Sequence, residues 1–271
     1  MNLLVVEMRR AMRRRVIRVM ILIALGWCVF AGVVAFLSSS GRSVAELHAN
    51  KGLHPAVVPD WWTTGGGDNA VTTAALFLLI GGFFAGAAVA GAEWRAGTIT
   101  TVLTWEPRRV RMNLTRTAAC GICAFVVALV LQVIFLASFL PAVFANGTTG
   151  GTSSGWWLSL ALALARTALI TSFAAMLAVA LATLGRNTAF ALAAVFAWVV
   201  VVEGMIRGMR PTWAQFLWGE NIATAVQWGQ MKHVEFSRGP LLALVTIVAY
   251  TSVLVAAATI SFHRRDIAGG I

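Results

Sequence analysis

Charge is scarce in this chain, and acidic charge above all. Only 11% of its 271 residues are charged, with 10 Asp and Glu against 21 Lys and Arg. Soluble domains carry about 25% charged residues, so an ordinary water-soluble globule is excluded. At 59% hydrophobic residues, a disordered chain is excluded as well. Cysteine is also rare, and Cys28, Cys120 and Cys123 cannot build a disulfide framework. The two lysines, Lys51 and Lys232, precede Gly52 and His233. A phosphate-cradling loop needs Gly-x-x-x-x-Gly-Lys followed by Ser or Thr, so the chain is not itself a P-loop ATPase. There is no His-Glu-x-x-His, and His48, His54, Asp60 and Asp68 are too scattered to suggest a metal site. Cys120-Gly-Ile-Cys123 starts an apolar run without βαβ context, which reads as two small thiols on one helical face. No catalytic residues, no metal and no cofactor are therefore expected in this chain, and it is not read as an enzyme.

What is present is length of apolar run. A bilayer core of about 30 Å needs roughly 20 apolar helical residues. Six runs qualify, at 19–37, 70–92, 117–144, 157–184, 188–206 and 240–262. The expected fold is an all-α membrane protein, a single transmembrane domain over 1–271 with six transmembrane helices. The third and fourth runs exceed the need and should tilt or extend into an interface. Arginines cluster at alternate ends. Arg9, Arg10, Arg13, Arg14, Arg15, Arg18, Arg95, Arg108, Arg109, Arg111, Arg116, Arg186, Arg264 and Arg265 fall on one side; Arg42, Lys51, Arg207, Arg210, Lys232 and Arg238 fall on the other. The positive-inside rule places both termini in the cytoplasm. The net charge of +11 is then topology, and no nucleic acid partner is implied.

The flanking segments carry further expectations. Residues 1–18 pattern as an amphipathic helix, with Arg9, Arg10, Arg13 and Arg14 gathered on one side for the anionic inner leaflet. Trp61 and Trp62 suit an outer headgroup belt. In the outer loop 207–239, Trp213, Phe216, Leu217, Trp218, Ile222, Val226 and Trp228 suggest a short helix lying in or dipping into that interface. Gly82 and Gly86 in the second run permit close helix approach, equally within one subunit or between two. Three polar side chains fall at membrane depth. Arg166 and Glu203 sit at equal height on neighbouring runs and either pair or snorkel separately. Gln132 is read as glue between helices rather than a substrate ligand.

Between the second and third runs the chain reads Glu93-Trp94-Arg95-Ala96-Gly97-Thr98-Ile99-Thr100-Thr101-Val102-Leu103-Thr104-Trp105-Glu106-Pro107-Arg108-Arg109. Gly97-Thr98 suggests a turn and cap opening a short helix that Pro107 ends. Ile99, Val102 and Leu103 would share one face of it, a shape suited to docking in a groove. Glu93 stands where positive charge is favoured. It pairs with Arg95 or another loop arginine, or meets a partner's basic residue.

Here the sequence resembles the membrane-spanning subunits of ABC-2 type transporters. That family has six spans, cytoplasmic termini, an N-terminal interfacial helix and a first cytoplasmic loop built on Glu, three residues, Gly-Thr, apolar positions, Pro and Arg. Glu93, Gly97, Thr98, Leu103, Pro107 and Arg108 or Arg109 match it, while Thr100 and Thr101 depart from the charged residues often found there. The resemblance implies a permease subunit exporting a lipid-like, drug-like or peptide cargo. The loop 93–116 would carry the coupling helix, using Glu93, Arg95, Gly97, Thr98, Ile99, Val102, Leu103, Pro107, Arg108 and Arg109. It further implies a separate cytoplasmic ABC ATPase dimer binding ATP and Mg, a second permease subunit in a homodimer or heterodimer, membrane lipid around the spans, and a plasma-membrane location. Arginine over lysine and abundant alanine suggest a GC-rich bacterial genome. Two rivals remain at this point: a non-transporting interaction or immunity subunit on the same scaffold, and a membrane-embedded enzyme.

Overall fold

In hydrocarbon, backbone N–H and C=O groups have no water to bond, so an apolar run must satisfy them internally as helix. A computed structural model of the protein, which describes residues 3–49, 54–63, 69–99, 104, 107–232 and 237–264, shows how these runs pack. Helix α1 covers Leu3–Arg13, α2 Arg15–Ser39, α3 Val44–Ala49, α4 Ala70–Arg95, α5 Arg109–Ala137, α6 Leu140–Asn146 and α7 Ser154–Gly185. The fifth run is α8, Thr188–Phe196, continued by a π-helical stretch Ala197–Val202 and by α9, Glu203–Met209. Then follow α10, Trp218–Gln227, a two-stranded antiparallel hairpin (β1 Met231–Lys232, β2 Ser237–Arg238) and α11, Pro240–Arg264. Among the described residues six helical stretches are long and apolar enough to cross a bilayer, and the chain is a multi-pass membrane protein. They run past the hydropathy limits into the flanking charges, because helical hydrogen bonding does not stop where apolarity does.

Helix α7 is the axis of the bundle, with two thirds of its span buried. It is apolar all round, as a fully packed helix must be, and alanines such as Ala168, Ala174, Ala175 and Ala178 let neighbours close in. Helices α4, α5 and α11 pack against it. The Gly82–Gly86 ladder is spent here. A Cβ at Gly82 would lie 2.9 Å from the Thr171 carbonyl oxygen, and one at Gly86 2.2 Å from that of Ala175. These glycines pack α4 on α7 inside one subunit. The long third run breaks at Ser138–Phe139, and α6 restarts with Pro141, which has no N–H to continue the ladder.

Helix α1, the last turns of α11 and the α7–α8 turn gather at one end of the bundle, called here the basic end. There Trp94 meets Phe262 edge-on at 6.1 Å and Arg186 lies over the Trp94 ring at 5.2 Å. At the opposite end a second core forms from Leu47, Ala56, Val57, Val58, Trp61 and Trp62 with Phe139, Val143 and Leu160. Trp61 and Trp62 are 4% and 1% exposed, so they do not form the expected belt. Their indole N–H groups donate to the Pro55 carbonyl (2.7 Å) and Ser159 Oγ (2.8 Å), which makes burial affordable. The aromatic segment of loop 207–239 divides. Trp213 and Phe216 stay exposed, whereas Trp218, Ile222 and Val226 enter the main core, with Trp218 at 5.2 Å from Phe83.

Candidate functional site

At the basic end five charged side chains meet across three elements. Helix α1 presents Glu7 and Arg10. Arg14 interrupts the helix with extended backbone (φ −65, ψ 133) and turns the chain into α2. Helix α4 brings Glu93 to its last turn, and α5 brings Arg116 about two turns into its length. Glu93 and Arg116 are each 2% exposed and Glu7 6%. Arg14 Nη2 donates to Glu93 Oε1 at 2.7 Å, Arg10 Nη1 stands 3.4 Å from the same oxygen, and Arg116 Nη2 pairs with Glu93 Oε2. Glu7 lies 3.5 Å from Arg10 and 4.0 Å from Arg116. A carboxylate in the last turn of a helix opposes the helix dipole, and burial adds a desolvation cost of several kcal/mol. Three guanidinium groups around one carboxylate offset both. The cluster therefore joins α1, the exit of α4 and the entry of α5 into one block.

The placement refines the loop expectations. Glu93 pairs with Arg14, Arg10 and Arg116 of its own chain, and its burial leaves it no face for a partner. Ile99 is also turned inward, 4% exposed against Met112, Phe262 and Trp94. Arg95, Gly97, Thr98, Pro107 and Arg108 are exposed and Arg109 half-buried. Gly97 takes φ +65, a left-handed turn that suits glycine. Val102 and Leu103, with Thr100, Thr101, Trp105 and Glu106, lie outside the described residues, and so does the body of the proposed coupling helix. Of the four arginines expected on the charged side of the N-terminal interfacial helix, Arg9 and Arg13 are exposed, while Arg10 and Arg14 are drawn in by Glu93. The sequence expectation of a loop arginine for Glu93 covered Arg116 without singling it out, since it was one loop arginine among many. It missed Glu7, whose signal was a lone carboxylate in a basic helix, three residues before Arg10.

The intramembrane polar residues resolve separately. The Arg166–Glu203 pair is not made. Arg166 lies over the Trp228 ring at 4.3 Å and the Trp62 ring at 5.5 Å. Glu203 is fully buried and caps the start of α10, accepting from the Trp218 N–H (2.8 Å) and Gly219 N–H (3.1 Å). Arg207, 3.5 Å from Glu203, also bonds Glu220 at 2.7 Å. Equal height on antiparallel helices does not fix direction around the axis, and a helix N-terminus is a ready anion site. Gln132 behaves as glue. Its Nε2 donates to the Ala128 and Leu164 carbonyls, both at 3.2 Å, tying α5 to α7.

Among the described residues, the basic-end cluster holds no nucleophile, and both of its carboxylates are engaged by arginines. Among the described residues no group of three or more His, Cys, Asp or Glu comes together to hold a metal. No family model matches the chain, and no curated protein is found similar to it.

Proposed function

We propose that this chain is the transmembrane permease subunit of an ATP-binding cassette transporter, exporting a lipid-like, drug-like or peptide cargo, with ATP and Mg bound by a separate dimeric ATPase. The basic end is then cytoplasmic, in a bacterial plasma membrane, and the loop 93–116 is the surface the ATPase meets. The observation that carries this reading is the buried Glu93 cluster. It makes the two helices flanking that loop and the N-terminal helix one rigid piece, so a push on the loop moves α1, α4 and α5 together. The exposed residues Arg95, Gly97, Thr98, Pro107 and Arg108 form the outer rim of the docking surface, with Arg109 beside them. Helix α2 and the fifth run are the least covered, with 17% and 11% of their spans buried, which suits a second permease subunit and membrane lipid.

The test is purification of the tagged chain from native membranes in mild detergent. An ATP-binding cassette protein should co-purify, and charge reversal at Arg95 with Arg108 should weaken that association while the fold persists. A chain that purifies alone, or with a partner lacking nucleotide hydrolysis, overturns the reading.

A further inference from the structure

Counted from Gly185 at the basic end, Arg166 stands about 28 Å along α7. A hydrocarbon core is about 30 Å thick, so Arg166 lies where the headgroups of the opposite leaflet begin. A charge at such depth is normally paired or hydrogen-bonded. Glu203 is satisfied in this way by two N–H groups and Arg207. Arg166 is not. Among the described residues no carboxylate lies within 4 Å of it, and its guanidinium donates no hydrogen bond. Its Nε is buried without a partner, whereas its two terminal nitrogens stay open on a half-buried side chain.

What Arg166 has is a frame of two indoles, Trp228 at 4.3 Å and Trp62 at 5.5 Å. The rings attract its charge but offer no acceptor for its N–H groups. Both rings are held in place. Trp62 Nε1 donates to Ser159 Oγ, and the Trp62 carbonyl accepts from Trp156 Nε1 at 3.1 Å. Trp228 ends α10 with φ +51, a left-handed conformation that bulky side chains rarely adopt. Backbone strain of this kind clusters at ligand sites. Access comes from the bilayer side. Leu158 and Leu162, 62% and 51% exposed, precede Arg166 by two turns and by one on the same face of α7. A helical side chain leans toward its helix N-terminus, here up that exposed stripe and away from the basic end.

We propose that Arg166, framed by Trp62 and Trp228, binds the phosphate of a lipid in the leaflet away from the basic end. The open edge of a guanidinium matches two phosphate oxygens at once, and lipid phosphate lies at this height. The site stands independently of the transport reading. The probe is phosphatidic acid carrying a diazirine near the glycerol end of one acyl chain, added to delipidated protein in dodecyl maltoside, a neutral and phosphate-free detergent. Label on the segments 156–166 and 218–228 should saturate as a single lipid. It should fall about tenfold in Arg166→Gln, and equally when the probe is the matching diacylglycerol, which lacks the phosphate. Trp228→Leu, which keeps the charge and serves if Arg166→Gln fails to fold, should lower it about threefold in protein that still unfolds cooperatively. The exposed arginines of the basic end also attract phosphate, so Arg9→Gln/Arg13→Gln should leave label on these two segments unchanged. Unchanged label in Arg166→Gln or Trp228→Leu, equal labelling by diacylglycerol, label confined to the basic end, or displacement by inorganic phosphate as effective as by unlabelled phosphatidic acid would each overturn the proposal.

Discussion

Replacing Glu93 by Gln tests the basic-end cluster most directly. The substitution keeps shape and one acceptor oxygen but removes the charge that three arginines share. Arg116, 2% exposed, is then left with Glu7 at 4.0 Å as its remaining counter-charge. Arg14 and Arg10, with side chains 20% and 36% exposed, recover part of their loss from water. Breaking a buried pair by removing one partner costs roughly 3–5 kcal/mol. Most of that falls on Arg116, so a loss of about 3 kcal/mol is expected. At a few degrees per kcal/mol for a chain of this size, the midpoint of thermal unfolding in detergent should fall by roughly 5–10 °C. The double variant Glu93→Gln/Arg116→Gln removes both buried charges and should recover at least ~1 kcal/mol relative to the single variant. A midpoint within 1 °C of the unaltered protein in the single variant (roughly the measurement error), or strict additivity in the double, would refute the claim that this cluster holds the end of the bundle together.

Gly86→Ala should destabilise by roughly 1–3 kcal/mol, since the new Cβ meets the Ala175 carbonyl, while Gly81→Ala, with nothing within 4 Å, should be neutral; paired unfolding curves decide. A double-mutant cycle between Arg166→Leu and Glu203→Gln should give a coupling near zero, whereas Arg166→Leu with Trp228→Leu should give about 0.5–2 kcal/mol; the reverse order would restore the discarded ion pair. His54 holds a neutral ring, with Nδ1 accepting from the Ala56 N–H at 3.1 Å, and burial together with Arg42 pushes its pKa below the usual histidine value. Its contribution should be whole above the unfolded value of about 6.5 and fade as pH falls through the lower folded value. Unfolding midpoints measured from about pH 7 down to pH 5 should therefore decline, and His54→Asn should flatten the slope.

Six helices long and apolar enough to cross a bilayer among the described residues were legible because the bilayer imposes one rule on every such run, namely length and apolarity, and both are properties of consecutive residues. The oddity of Glu93 was legible for a similar reason: a carboxylate among arginines stands out locally. Its partners were not. Arg14 is 79 positions away and Arg116 is on another helix, and only the packing of α1 on α5 chose them over Arg95. The Arg166–Glu203 expectation failed on the same point. Counting residues gives height along a helix, but the direction a side chain faces depends on how the helices are rotated against one another. Here that rotation turned Glu203 to the N-terminus of α10 and Arg166 to two indole rings. The tryptophans of the opposite end went the same way: composition marked them as interfacial, and available protein acceptors buried them. By itself, then, the sequence determined that the chain lives in a membrane and how often it can cross. Only tertiary structure decided which charges neutralise one another, which glycines face a neighbour, and that Gln132 ties α5 to α7, because each depends on contacts between residues far apart in the chain.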